Sequence, residues 1–199
     1  MKINRRGMLL VISGPSGTGK GTLAGMLLNE DPSFAFSISC TTRAPRSNEI
    51  PDVHYHFITE ERYQELVAQD AFLEHATVHG HHYGTLKSEV FERIRKGQNV
   101  LLDIDPQGAM NIMRDVEECV SVFILPPSYE SLRTRLNGRN TDDPEEIERR
   151  LANARGEIEQ VSKYDYAIVN DDLQLAFDQL KSIADAEKFR TSRFFPTVE

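Results

Sequence analysis

Residues 8–20 read MLLVISGPSGTGK: an apolar run from Met8 to Ser13, then Gly14, Pro15, Ser16, Gly17, Thr18, Gly19 and Lys20. A short buried run containing Val11 and Ile12 that ends abruptly in glycines predicts a strand, a tight loop and then a helix. The loop fits the pattern GxxxxGK. In that pattern glycines let backbone amides converge on phosphate oxygens, and the following helix adds its N-terminal partial charge. Lys20 is placed to reach the β- and γ-phosphates of a nucleoside triphosphate.

The position after Lys20 departs from the general pattern, because Gly21 stands where a Ser or Thr hydroxyl usually helps to hold Mg2+, and Thr22 follows one place later. Either Thr22 substitutes, or the ion is held mainly by water and substrate oxygens, which Mg2+ tolerates well. The Gly-Lys-Gly-Thr form is similar to the loop of adenylate kinases.

Further along, Val100 to Ile104, Val120 to Leu125 and Tyr166 to Val169 are apolar runs separated by helical segments. Such alternation predicts an α/β fold, a parallel sheet core flanked by helices. Ile147, Leu151, Ala154, Ile158 and Val161 form one helical stripe, introduced by Asp143 and Pro144. Leu173, Phe177, Leu180 and Ala184 form another, and both read as core faces. Two more helices are expected to end at Gly97 and Gly138. Asn99 to Asp105 reads NVLLDID, a strand that ends in carboxylates on the loop side of a parallel sheet, where α/β ligands bind. Asp103 is the candidate for the acidic strand-end group near the metal. Asp105 is either a second such group or the cap of a helix starting near Gln107.

From Phe36 to Tyr83 the rhythm breaks. The segment is rich in Ser, Thr, His and Pro, and only Glu60 to Ala71 reads as a good helix, which suggests an insertion carrying an acceptor site. Within it, Arg43 and Arg46 flank Pro45 and are able to fork onto one phosphate. Residues 138–146 are polar, irregular and flanked by arginines, which suits a flap.

The 199 residues, 39% hydrophobic and 27% charged, suit one ordinary globular domain. A formal charge of -8 argues against nonspecific nucleic-acid binding, so phosphate recognition is expected to be local. Cys40 and Cys119 lie far apart and outline neither a disulfide framework nor a zinc set, which favours a reducing cytoplasm. The apolar run after Lys2, Arg5 and Arg6 is too short for a signal peptide, and no stretch approaches the roughly 20 apolar residues of a membrane span.

With GPSGTGKGT, SCTTRAPR, HYHF, FLEHA, HYGT, LLDIDPQG, RLNGR and IVNDD in order, the chain resembles the guanylate kinases from Met8 to about Lys188. The resemblance implies phosphoryl transfer from ATP, with Mg2+, to GMP, with dGMP as the alternative acceptor. It also implies a P-loop core (about 8–36, 86–134 and 155–190), a GMP-binding insertion (about 37–85) and a lid (about 135–154). Carried over by position, Arg43, Arg46, Tyr55 and Tyr83 match the residues that hold the GMP phosphate, and Ser39, Glu74, Thr85 and Asp103 those around guanine. Arg135, Arg139 and Arg150 match arginines that neutralise the transferring group, while Arg149 is expected to face solvent. Asn170 matches a position near the adenine edge, with capping of the last helix as the alternative. Thr22 and Asp103 are the candidates beside Mg2+. No obligate protein partner is implied.

The chemistry of a guanine pocket is independently sensible, since a carboxylate accepts from N1–H and the 2-amino group of guanine and would be left unpaired by adenine. All six histidines, at 54, 56, 75, 79, 81 and 82, fall in the insertion, and His82 stands where relatives carry another aromatic. Without acidic or cysteine partners at matched spacing, a metal site there is disfavoured. Two other readings remain open: an interaction domain without catalysis, and a kinase with a changed acceptor.

Overall fold

The computed structural model describes residues 2–46, 49–78, 80–138 and 144–197, with backbone alone at 2–4, 78, 144, 146 and 197. In chain order the elements are β1 (Lys2–Arg5), β2 (Leu9–Ser13), α1 (Lys20–Glu30), β3 (Phe34–Phe36), β4 (Cys40–Thr41), β5 (His56–Phe57), α2 (Glu60–Ala68), β6 (Phe72–Val78) and β7 (His81–Leu86). Then come α3 (Lys87–Arg95), β8 (Asn99–Asp103), α4 (Pro106–Asp115), β9 (Val120–Leu125), α5 (Tyr129–Asn137), α6 (Pro144–Ile158), β10 (Tyr166–Val169), α7 (Leu173–Glu187) and β11 (Phe194–Thr197).

Five strands pair in the order β10-β9-β2-β8-β3, all parallel. The expected α/β core is therefore present. Every residue of β2 is buried because helices cover both faces of the sheet. Leu10 and Ile12 pack toward α1 and α7 with Leu23, Leu27, Phe177 and Leu180. Leu9 and Val11 point the other way, toward Val90, Ile94 and Ile112 of α3 and α4. β2 is central and its neighbours lead away in opposite directions, so a crevice opens at its carboxyl end, which is where Gly14 to Gly19 lie.

The insertion holds a second sheet, β5-β4-β7-β6, that sequence reading did not anticipate. Its helix ends at Ala68 rather than Ala71, because Asp70 takes a φ of 50° and Lys87 N–H caps the carbonyl of Ala71 at 2.9 Å as β6 begins. Lys2–Arg5 forms an antiparallel ribbon with Phe194–Thr197.

Helix ends explain several residues. Asp105 caps α4, accepting from Gln107 N–H at 2.8 Å and Gly108 N–H at 3.0 Å, and Pro106 occupies the first turn, where its missing N–H costs nothing. Thr59, Ser128 and Asp172 cap α2, α5 and α7 in the same way. The α6 stripe buries Ile147, Leu151 and Ala154 against Leu132 and Leu136 of α5, while Val161 lies beyond the helix in a 3-10 turn. In α7 the stripe holds at Phe177, Leu180 and Ala184, but Leu173, in the first turn, is 42% exposed and is not core. Gly97 ends α3 with a φ of 81°, as a terminal glycine should, whereas Gly138 ends α5 in right-handed geometry with a φ of -68°.

Candidate active site

The phosphate loop leads into α1, whose N-cap is Gly19, with no side-chain cap and no acid in the first turn. No side chain therefore competes with an anion at the start of this helix. Lys20 folds back over the loop, donating from Nζ to the carbonyls of Gly14 at 2.6 Å and Pro15 at 3.1 Å. The Thr18 hydroxyl also donates to Pro15 O, at 2.9 Å.

Gly21 acquires a reason here. A Cβ on this residue would stand 3.3 Å from Oδ2 of Asp103, so the missing side chain lets the carboxylate at the end of β8 close on the start of α1. Burial pushes the Asp103 carboxyl up, and the nearby Lys20 charge opposes that shift. Thr22 instead lines a groove of about 320 Å³ with Gly17, Gly19, Arg135, Asn170 and Leu173. Asp103 is not among the residues that line this groove.

The register of the second sheet brings Ser39, Glu74 and Thr85 together. Glu74 on β6 stands opposite Thr85 on β7, and Cys40 opposite Gly84 brings Ser39 level with Thr85. The Thr85 hydroxyl donates to Glu74 Oε1 at 2.9 Å, and the Ser39 hydroxyl lies 3.3 Å from that of Thr85. Burial pushes the Glu74 carboxyl up to about 7, the Thr85 hydrogen bond works against this, and the Asp105 carboxylate reinforces it. Oε2 of Glu74 faces the first turn of α4, where Gly108 leaves room for it.

Thr41 pairs with Tyr83 in the same register, which sets Arg43 beside that ring. Arg43 Nε donates to the Tyr83 hydroxyl at 3.2 Å, Nη1 to Ala44 O at 2.7 Å, and the guanidinium lies 5.6 Å from the Tyr55 ring centroid. Glu49, which sequence reading missed, accepts from Arg43 Nη2 at 2.8 and 3.0 Å and from the Arg46 backbone at 2.8 Å. The signal was an acid three residues after Arg46 in an otherwise basic turn. These bonds hold the Glu49 carboxyl below its ordinary range. Glu49 thus fixes the guanidinium in a plane, so Glu49→Gln is expected to raise the KM for a phosphorylated acceptor about 5- to 20-fold with little change in kcat. Steady-state kinetics with varied acceptor would show it.

Arg135 donates to the carbonyl of Asn170 at 2.8 Å and Arg150 reaches Ser16 Oγ at 3.5 Å, so α5 and α6 each bring a cation to the surroundings of the loop. Arg149 is exposed. Arg139 lies outside the described residues, as do Asp143 and His79. Asn170 does not cap α7, a role that belongs to Asp172; its amide turns inward and donates to Thr18 O at 2.8 Å.

His54, His56, His75 and His82 have local partners, several of them acidic. His56 bridges Asp52 at 2.7 Å and Glu89 at 3.3 Å on opposite ring nitrogens, and His82 contacts Thr77 at 2.9 Å and Glu60 at 3.1 Å. His82 stacks on Tyr63 at 4.4 Å, which is an aromatic's work. Among the described residues no three His, Cys, Asp or Glu converge as a metal site, and no helix is long and apolar enough to cross a membrane.

Besides the glycine-rich loop at the end of β2, the chain carries a small sheet bearing a desolvated carboxylate and an arginine set against two tyrosines, an arrangement suited to nucleotide binding. Comparison with known proteins agrees. The family model described as guanylate kinase matches residues 6–187. A guanylate kinase of Clostridium perfringens (strain SM101 / Type A) is 46% identical over 190 residues, 96% of this chain and 88% of its own. One from Alkalilimnicola ehrlichii is 47% identical over 192 residues, 96% and 95% of the two chains. The crystal structure of guanylate kinase from Anaplasma phagocytophilum superposes with a TM-score of 0.77 at 35% identity, covering 97% of this chain and 92% of that one. Loop, sheet order and full-length similarity together establish that this chain belongs to the guanylate kinase family.

Proposed function

We propose that the chain transfers the γ-phosphoryl group of ATP to GMP, giving ADP and GDP, as a cytoplasmic enzyme of purine nucleotide metabolism. The observation that carries this is the Ser39, Thr85 and Glu74 pocket built on the same small sheet as the Arg43 clamp, so that base and phosphate of one acceptor are read by one rigid unit. Glu74 accepts from guanine N1–H and the 2-amino group, and a hydroxyl from Ser39 or Thr85 donates to O6. Arg43, Arg46, Tyr55 and Tyr83 hold the GMP phosphate.

One phosphate oxygen of GMP attacks the γ-phosphorus in line while the bond to the bridging oxygen of ADP breaks. The protein needs no nucleophile of its own, only alignment, charge stabilisation and exclusion of water. Loop amides and Lys20 hold the β- and γ-oxygens, and Arg135, Arg139 and Arg150 offset charge on the moving group. An Mg2+ ion bound with ATP would supply charge neutralisation at the phosphates. Asp103, whose carboxylate closes on the start of α1, fits that ion as a nearby acid acting directly or through water, and nucleotide oxygens and water would complete the shell, whereas Thr22 opens into the groove beside Asn170. The -8 charge favours nucleotides over nucleic acid as partners.

ADP release measured with GMP, dGMP, AMP or no acceptor tests the reading. Rapid turnover with the guanine nucleotides and at most about 1% of that rate with AMP is expected. Equal turnover with AMP, or none with GMP, would refute it.

A further inference from the structure

We propose that Asn170 is a positioning residue for the phosphate loop: by holding the carbonyl of Thr18, it turns the Gly19 N–H toward the nucleotide phosphates. The inference rests on the reading of the loop as the ATP site and adds a role that neither adenine contact nor helix capping supplies.

Three bonds hold Asn170 itself. Its N–H donates to Leu125 O at 2.9 Å, joining the end of β10 to that of β9, and its carbonyl accepts from Arg135 of α5 at 2.8 Å. Its side chain, on a residue only 4% exposed, donates from Nδ2 to Thr18 O at 2.8 Å. The amide fills the space behind the loop so completely that a Cβ on Gly19 would lie 2.4 Å from Nδ2.

The consequence for the loop follows from peptide geometry. In a planar trans peptide the C=O of residue 18 and the N–H of residue 19 point in opposite directions. Anchoring Thr18 O against the β10 end therefore aims Gly19 N–H away from it, into the concavity closed by the first turn of α1. Gly19 has a φ of 90°, a region open to glycine, so the 18–19 peptide is free to flip when nothing holds it. Thr18 is fully buried, so in the folded chain its carbonyl is satisfied by Asn170 rather than by solvent. A flipped peptide would present an oxygen, not an N–H, to the phosphates. Through Arg135 the same residue ties α5 to the loop, so donor site and flap root share one anchor.

Asn170→Asp and Asn170→Ala test this through equilibrium binding of ATP with Mg2+, by calorimetry between pH 6 and 9. Both variants are expected to bind ATP about tenfold or more weakly than the parent at pH 9, where an aspartate carboxylate repels Thr18 O and an alanine leaves it orphaned. As the pH falls, the Asn170→Asp defect should shrink, because the protonated acid regains an O–H to donate to Thr18 O, whereas the Asn170→Ala defect stays constant. GMP binding measured alone should stay within about twofold of the parent in both, since the acceptor sheet is untouched. Parent-like ATP binding by Asn170→Asp at pH 9, or equal defects in both variants at every pH, would overturn the proposal. Failure of the parent to turn over GMP would instead refute the assigned reaction and leave this binding test intact.

Discussion

Replacing Lys20 by Met is expected to lower kcat by about 100- to 1,000-fold, the usual loss when one preorganised donor to a transition-state oxygen is removed. In the nucleotide-free loop the ammonium rests on the carbonyls of Gly14 and Pro15, with the Asp103 carboxylate nearby. Those carbonyls hold the ammonium in place over the loop. Because the charge on the equatorial oxygens is redistributed during transfer, the loss should fall on kcat more than on the KM for ATP. The melting temperature should move little, since Lys20 is only partly buried. Saturating steady-state kinetics check the prediction, and a variant within tenfold of the parent would contradict the role of Lys20.

The second large effect concerns the base. Glu74→Gln keeps the shape of the pocket but replaces an acceptor oxygen by an N–H2 that faces donors on guanine. The KM for GMP is expected to rise about 100-fold, the cost of one unmet buried hydrogen bond plus donor–donor repulsion. Since burial raises the Glu74 carboxyl to about 7, the parent's KM for GMP should climb as pH falls below neutrality, when the carboxyl takes up a proton and ceases to accept at that oxygen. The variant's profile should be flat through that range.

Stability should move in the opposite sense. A carboxyl raised from 4.5 to about 7 in the folded state contributes stability that is fully present below pH 4.5 and is lost as the pH rises through about 7. At pH 8 the ionised Glu74 therefore destabilises the empty protein, and Glu74→Gln should gain about 1 to 3 kcal/mol there. Denaturant titration at pH 5 and pH 8 would register the difference, with a gain confined to the higher pH.

The contiguous parts of this site were legible from residue order alone. Gly14 to Lys20 carry their geometry locally, and the apolar runs at 8–13, 100–104 and 120–125 are long enough to declare buried strands. The acceptor sheet was not, because β4 and β5 are two residues each, too short for alternation to register. Its partners come from the register of β4, β6 and β7, which places Arg43 against Tyr83 and Glu74 against Thr85 across 40 and 11 residues of sequence. Family resemblance named those residues; pairing explains them. Glu49 carried no motif and emerges only from its bonds to Arg43. Leu173 misled because its spacing matches the α7 stripe while the first turn of that helix extends past the core onto the groove lined by Gly17, Thr22 and Arg135. Asn170 was ambiguous for a similar reason, since only the folded chain brings residue 170 against residue 18.

The most direct test is to supply ATP labelled in its γ-phosphate together with GMP and Mg2+ and to follow the label. The account predicts that it passes into the β-phosphate of GDP at the rate ADP appears, with almost none released as inorganic phosphate. Label accumulating as inorganic phosphate, or passing to AMP as readily as to GMP, would contradict it.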